Sequence, residues 1–169
     1  GGLVDAGRWH PLGMPVIYAG LSVEICALEK LVHTGRILPP DLQLVRLDLP
    51  DDPGLYEHLD PARVPNWADT PPGAASVAFG GAFLREQRGL ALVVPSAVVP
   101  EARNLVINPL HPRFAEVTMA VERPFAFDAR LRMEGYGNQE IADRLQISLR
   151  SVERKLGIVR EIWSREIGP

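Results

Sequence analysis

The sequence has few of the features that build disulfide-stapled or membrane-spanning proteins. Of its 169 residues one is a cysteine, Cys26, which leaves no intramolecular disulfide framework and no metal site made of paired cysteines. No stretch approaches the roughly 20 apolar residues that a membrane-spanning helix needs. The N-terminus lacks the charged start and apolar run of a signal peptide. We therefore expect a cytoplasmic protein with no membrane partner.

Two further absences concern cofactors. His33, His58 and His111 lie far apart in sequence, without the short spacing that places two imidazoles on one metal ion, so we predict no metal. No Gly-x-Gly-x-x-Gly run follows a predicted strand, so a bound dinucleotide would not be held in the Rossmann manner.

The composition is that of a folded globular chain, with 46% hydrophobic and 23% charged residues. The formal net charge of −3 is unevenly distributed, because the segment from Arg130 onward carries about +2 and the rest about −5. An acidic front part is a poor surface for nucleic acid, whereas the basic tail is a candidate for one.

Hydrophobic periodicity predicts a mixture of strands and helices up to about residue 131, which is an α/β or α+β fold. A proline-rich segment, Pro50–Pro72, is predicted to be turns around at most one short helix, Pro53–Leu59. The predicted strands are Pro15–Ala19, Leu42–Leu49, Leu90–Val94, Leu105–Asn108 and Val117–Arg123, and the predicted helices are Leu21–His33, capped by Ser22, and Ala75–Arg85.

Four polar side chains are candidate functional residues: Arg8, Tyr18, Glu29 and Ser96. Each has a plain structural interpretation, such as a core tyrosine or a solvated glutamate. Glu29 is the exception, because it falls on or near the apolar face of its helix, where a carboxylate needs a partner. A guanidinium such as Arg8 is the best internal candidate for that partner.

Several segments of this chain resemble the RES domain in order and approximate spacing over some 125 residues. They are Gly7-Arg8-Trp9, Gly13-Met-Pro-Val-Ile-Tyr18-Ala19, Ala27-Leu-Glu29-Lys-Leu-Val-His33, Val94-Pro-Ser96-Ala-Val-Val-Pro100, Asn104 and Ile107-Asn108-Pro-Leu-His111-Pro112. The resemblance implies an ADP-ribosyltransferase-like mixed sheet with flanking helices over residues 1–131. It also implies a toxin of a toxin-antitoxin system that degrades NAD as a phosphorylase, a glycohydrolase or an ADP-ribosyltransferase.

The same resemblance implies the site. The catalytic residues would be Glu29, Arg8 and Ser96, and the residues that bind NAD would be Arg8, Tyr18, Ser96 and Asn108. Glu29 would stabilise the oxocarbenium-like state of the ribose, Arg8 would bind the pyrophosphate, Tyr18 would stack on a flat ring, and Ser96 would bond ribose hydroxyls or a phosphate. By the same resemblance NAD would be the substrate and a protein antitoxin would cover the active site, and we expect an oligomer.

Two features depart from the family pattern. The segment Ala6-Gly7-Arg8-Trp9-His10 stands where the pattern has Gly-Gly-Arg-Trp-Asn. His10 could replace the polar contact of that asparagine, but we expect it to be peripheral. The usual N-terminal strand is not found, and loss of that strand would leave a sheet edge unpaired and put activity in doubt.

The tail, residues 132–169, is predicted to be a helix-turn-helix. Gly135 to Leu156 resembles region 4 of extracytoplasmic-function sigma factors, which implies DNA contacts from the second helix. Those contacts would come from Arg150, Ser151, Arg154 and Lys155. One alternative for the tail is an α-hairpin used in packing. The alternative for the whole chain is a DNA-binding regulator whose RES-like domain is a catalytically silent sensor or dimerisation unit.

Overall fold

A computed structural model describes residues 2–34 and 41–127. Backbone contacts divide the chain into two compact units, one made of Gly1–Thr34 with Gln43–Arg123 and the other of Gly35–Leu42 with Pro124–Pro169. The predicted helix-turn-helix and its DNA-contacting residues lie outside the described residues. Within the described ranges no helix is long and apolar enough to cross a membrane.

The described residues form six strands, two helices and three short 3-10 turns. In chain order they are β1 Ile17–Gly20, α1 Val23–Thr34, β2 Gln43–Asp48, β3 Tyr56–His58, α2 Ala74–Glu86, β4 Ala91–Pro95, β5 Arg103–Ile107 and β6 Thr118–Pro124. The predicted mixed α/β class is confirmed. Both predicted helices and all five predicted strands are present, with ends shifted by up to two residues.

The main sheet has the strand order β1-β5-β4-β3, and β2 with β6 forms a separate two-stranded sheet. β5 runs antiparallel to both of its neighbours, with Gly20 opposite Asn104 and Val94 opposite Asn104 in the register. β3 runs parallel to β4. The ends of β1, β4 and β5 therefore meet at Asn104, where the candidate site lies.

Both faces of β4 are covered, which explains its unbroken apolar run. All five residues of this strand are buried. One face of the sheet packs through Leu92, Val94 and Val106 against Trp9 and the α2 side chains Phe83 and Leu84. The opposite face packs through Ala91, Val93, Leu105 and Ile107 against Leu55 and Leu90. Alternate residues of β4 and β5 thus belong to two separate core clusters.

The paired glycines inside α2 allow the helix to approach the segment around Trp9. A Cβ on Gly80 would lie 2.1 Å from the Trp9 carbonyl oxygen, and a Cβ on Gly81 would lie 2.9 Å from the Pro11 ring. Glycine weakens helix interiors by about 1 kcal/mol relative to alanine. Close packing on the Trp9 backbone is the reason for glycine at position 80.

One part of the predicted fold is wrong. Pro53–Leu59 does not form a short helix: a 3-10 turn covers Pro53–Leu55, and Tyr56–His58 is a strand. Asp52 caps the turn by accepting a hydrogen bond from Gly54 N at 3.1 Å. The strand forms because it pairs in parallel with the edge of β4. Just before the two strands, Leu90 N donates a hydrogen bond to Leu55 O at 2.8 Å. Three residues are too short for an alternating pattern to show in sequence.

Candidate active site

A carboxylate on α1 meets the ends of two strands. Glu29 Oε1 accepts a hydrogen bond from Ser96 Oγ at 2.7 Å and another from Asn104 Nδ2 at 2.5 Å. Ser96 directly follows β4, and Asn104 lies in β5. Because β4 and β5 are antiparallel neighbours, their register brings these two side chains to one carboxylate oxygen.

The start of α1 determines where this carboxylate lies. Ser22 accepts a hydrogen bond from Ile25 N at 3.4 Å and so caps the helix, as the sequence predicts. The helix then packs on Gly20, where a Cβ would lie 2.5 Å from Ile25 Cγ2 and 2.8 Å from Cys26 Sγ. Glu29 follows Ile25 by one helical turn and therefore shares its inward face.

The Ser96 hydroxyl is fully occupied by protein atoms. It donates to Glu29 and accepts hydrogen bonds from Val98 N and Val99 N, each at 3.0 Å. The residue has no exposed surface. Its own backbone N–H donates to Ala102 O at 3.0 Å, so the loop after β4 folds around this side chain.

The second oxygen of Glu29 faces the open side of the cluster. Oε2 lies 3.3 Å from His33 Nε2, one helical turn further along α1. The His33 side chain is 72% exposed and that of Glu29 is 21% exposed, so solvent reaches this side. The contact is an ion pair only when His33 is protonated.

Tyr18 has a half-exposed ring and an enclosed hydroxyl. The hydroxyl accepts a hydrogen bond from Trp9 N at 3.2 Å and is hydrogen-bonded to His10 Nδ1 at 2.8 Å. Burial of the hydroxyl raises the pKa of Tyr18 to about 12, although the Trp9 N–H and the nearby Arg8 charge act in the opposite direction. The expectation that His10 is peripheral is wrong, because its ring is buried and bonded to Tyr18.

Arg8 is fixed to the proline-rich segment and not to Glu29. Its Nη1 donates to Trp67 O at 2.5 Å and to Asp69 O at 2.8 Å. The Trp67 ring stacks on Trp9, with ring centroids 6.5 Å apart. The predicted pairing of Arg8 with Glu29 is therefore wrong: neutral donors from β5 and from the end of β4 satisfy the carboxylate, and loop carbonyls take up the guanidinium.

The register places Tyr18 close to the Glu29 cluster. Tyr18 lies opposite Val106 in the β1–β5 pair, and Val106 and Asn104 share a face of β5 because they are two residues apart. Diagonal neighbours of this kind lie about 7–8 Å apart. Glu29, Ser96, Asn104 and Tyr18 consequently lie around the same end of one sheet face.

Comparison with known families identifies the front part of the chain. The family model for the RES domain matches residues 1–128. The chain belongs to the RES family. A second family model, that of ECF sigma factors, matches residues 113–168, so the chain's tail is similar to part of such a factor.

Curated proteins similar to this RES domain are bacterial. A protein of Sphingobium sp. named "Prs ADP-ribosylating toxin" is 34% identical over 134 residues, which cover 78% of this chain and 83% of that protein. A protein of Pseudomonas putida named "Toxin Res" is 37% identical over 134 residues, covering 78% and 89%. Another "Toxin Res", from Photorhabdus laumondii, is 34% identical over 134 residues, covering 78% and 85%.

The RES domain of this chain brings together some of the residues predicted from sequence and separates others. Glu29 and Ser96 are in direct contact, and Tyr18 shares their sheet face. Asn108 lies at the opposite end of β5, where its Nδ2 donates to Leu84 O at 2.8 Å and its Oδ1 accepts from Leu110 N at 3.0 Å. Both ends of its amide are used by the protein backbone.

Sequence reasoning missed Asn104 as a member of the site. Its Nδ2 is bonded to Glu29, and its Oδ1 is buried without a hydrogen-bond partner in the described part of the chain. The signal was present, because Asn104 is a polar residue directly before the apolar run Leu105–Ile107 and belongs to the segments that resemble the RES domain. Among the described residues no group of histidine, cysteine, aspartate and glutamate side chains could hold a metal ion.

Proposed function

We propose that this RES protein is a toxin that consumes NAD by breaking the bond between nicotinamide and ribose. The observation that carries the proposal is the Glu29 carboxylate, held at one oxygen by Ser96 and Asn104, while the other oxygen lies beside the exposed His33 side chain. The similarity of this chain to a protein named "Prs ADP-ribosylating toxin" supports NAD as the substrate.

The chemistry suits a fixed carboxylate. The bond from ribose C1′ to the pyridinium nitrogen breaks, and its electron pair stays with nicotinamide, which leaves as a neutral ring. Positive charge then develops on C1′ and the ribose ring oxygen, as in glycoside hydrolysis. Glu29 stabilises that charge or orients the acceptor. An acceptor oxygen bonds to C1′, and any proton that it loses passes to Glu29 or to solvent.

Two further residues suit the rest of the dinucleotide. Arg8 uses Nη1 for two backbone carbonyls, and no described protein group is hydrogen-bonded to its Nη2 or Nε. Those remaining donors form a planar edge that suits a pyrophosphate. The exposed ring of Tyr18 suits stacking on nicotinamide or adenine. Asn108 has no part in this proposal, because the backbone occupies both ends of its amide.

The test is to incubate the purified chain with NAD, with and without inorganic phosphate, and to identify the ribose-containing product. The product separates a phosphorylase, a glycohydrolase and an ADP-ribosyltransferase. The Glu29→Gln variant is expected to lower kcat by about 100-fold or more, because the charge that stabilises the transition state is lost. Glu24→Gln, an exposed change on the same helix, is the matched control and should leave the rate within about twofold.

Retention of NAD consumption in Glu29→Gln would contradict the role of Glu29. An inactive wild-type chain would instead favour the second candidate, a DNA-binding regulator with a silent RES domain. The match of residues 113–168 to ECF sigma factors supports a DNA-facing tail, with Arg150, Ser151, Arg154 and Lys155 as the proposed contacts.

A protein antitoxin that covers the Glu29 cluster is proposed from the toxin names of the relatives.

A further inference from the structure

The hydrogen bonds around Glu29 make its two carboxylate oxygens unequal. Both neutral donors, Ser96 Oγ and Asn104 Nδ2, reach the same oxygen, Oε1. We infer that Ser96 and Asn104 are positioning residues that hold Oε1 and do not touch the substrate, and that Oε2 is the oxygen that acts on the ribose. This inference rests on the proposed NAD chemistry.

Ser96 has no atom left to offer a ligand. A hydroxyl group has one hydrogen to donate and two lone pairs to accept with. The hydrogen goes to Glu29, and the two lone pairs accept from Val98 N and Val99 N. The side chain is also fully buried. A ribose hydroxyl or a phosphate could reach Ser96 only by displacing one of these bonds, so the role of Ser96 is to act through Glu29.

The Asn104 side chain makes a hydrogen bond with its amide nitrogen but none with its amide oxygen in the described part of the chain. Its Nδ2 donates to Glu29 Oε1, whereas its buried Oδ1 accepts no hydrogen bond within the described ranges. Rotating the amide by half a turn would point Oδ1 at the carboxylate and leave Nδ2 buried without an acceptor. The assigned orientation is therefore the favourable one, because it gives Glu29 Oε1 a second donor and leaves only an acceptor unsatisfied.

The two donors leave Oε2 on the accessible side. Oε2 lies 3.3 Å from the exposed His33 ring, a side chain that a ligand could displace. Fixed donors on Oε1 keep the carboxylate from rotating away as charge develops on the substrate, which is preorganisation of the kind that speeds a chemical step without tightening substrate binding.

The test compares kcat and KM for NAD in the full chain and in Ser96→Ala and Asn104→Ala. We expect kcat to fall about 10-fold to 100-fold with KM within about twofold, because these residues act in the transition state through Glu29. Ser76→Ala is the matched control, since Ser76 is equally buried, lies in α2 and donates its side-chain hydrogen bond to Gly73 O. It should change neither constant.

A second measurement separates positioning from general loosening of the structure. In a Glu29→Gln background, Ser96→Ala and Asn104→Ala should lower the residual rate no further, because residues that act through Glu29 lose their effect with it. The Kd of NAD for Glu29→Gln, measured by calorimetry, should also stay within about twofold when either change is added. If Ser96 and Asn104 had a merely structural role, either change would lower the residual rate further and raise the Kd of NAD.

A rise of KM or Kd by about fivefold or more with kcat retained would overturn the inference, since it would show direct substrate contact. If the alanine variants unfold, Asn104→Asp keeps the shape and places a second carboxylate oxygen against Oε1. The same loss of kcat at unchanged KM is expected there, and normal activity would overturn the inference. A wild-type chain that leaves NAD intact overturns the proposed function itself, before any variant is compared.

Discussion

At the scale of single residues, Tyr18 combines two environments in one side chain. Its ring is exposed, while its hydroxyl lies between the Trp9 N–H and the His10 ring. The enclosed hydroxyl stays protonated through the physiological range, because burial opposes the tyrosinate anion. Tyr18 can therefore contribute a stacking surface to NAD but not a negative charge.

The raised pKa of Tyr18 predicts a pH-dependent stability. Its pKa is about 12 in the folded chain and 10.0 in the absence of structure, so its contribution is complete below pH 10.0 and is lost as the pH rises towards about 12. Tyr18→Phe cannot ionise. The stability difference between wild type and Tyr18→Phe should shrink as the pH rises from about 9 to about 11 in urea unfolding. A constant difference across that range would contradict an enclosed hydroxyl.

Some residue-scale predictions depended only on local sequence, and others did not. Glu29 was identified because it lies on the apolar face of a helix, and the structure places it there. Its partner was misassigned to Arg8, because a charged group was expected to be neutralised by a charge. The structure instead supplies neutral donors from Ser96 and Asn104, which lie 67 and 75 residues away in sequence. Sequence periodicity contains no information about such contacts.

At the scale of elements, two close helix approaches shape the region of the site. α1 packs on β1 at Gly20, and α2 packs on the Trp9 backbone at Gly80. Trp9 is flanked by Arg8 and His10, and its own N–H donates to Tyr18. The distance of α2 from this segment thus affects the residues proposed to bind NAD.

Gly80→Ala should disturb this packing. The added Cβ would lie 2.1 Å from a backbone oxygen, so the helix itself must shift. We expect a loss of about 1–3 kcal/mol in the free energy of unfolding, despite the better helix propensity of alanine, together with a raised KM for NAD. Gly73→Ala, where the nearest atom is 3.9 Å away, is the control. Denaturant unfolding measures the stability of both variants. A Gly80→Ala variant as stable as the wild type would refute the close contact.

The elements themselves were largely predictable. β4 is an unbroken apolar run with both faces covered, and α1 begins at a serine cap, so both follow local rules. β3 was missed because its three residues, Tyr56–His58, form a strand only through pairing with β4. Which side of the sheet each helix covers is likewise not contained in the spacing of its apolar residues.

At the scale of the whole molecule, the chain joins a RES domain to a segment similar to an ECF sigma factor. The two matches, residues 1–128 and 113–168, overlap over 113–128, where β6 lies. The sigma-factor similarity therefore begins inside the RES fold and continues into the basic tail. The boundary predicted near residue 131 stays a prediction.

A chain ending at Leu131 tests whether the two proposed functions separate. NAD consumption is expected to stay within about twofold of the full chain, because every residue of the proposed site precedes the cut. DNA binding, measured as isotherms at about 50 and about 200 mM salt, should be present in the full chain, weaken as salt rises, and be lost on truncation. Arg150→Ala with Arg154→Ala in the full chain should weaken DNA binding alone. DNA binding by the truncated chain would contradict the assignment to the tail.

The sequence by itself determined the family, the order of most strands and helices, and the placement of Glu29 on an inward helix face. These properties follow from motif spacing and from the periods of helices and strands, which are local along the chain. Only the tertiary structure decided what Glu29 touches. The packing of α1 on Gly20 and the register of β4 with β5 bring Ser96 and Asn104 to a single oxygen, because such contacts depend on how distant segments pack and not on their own sequences.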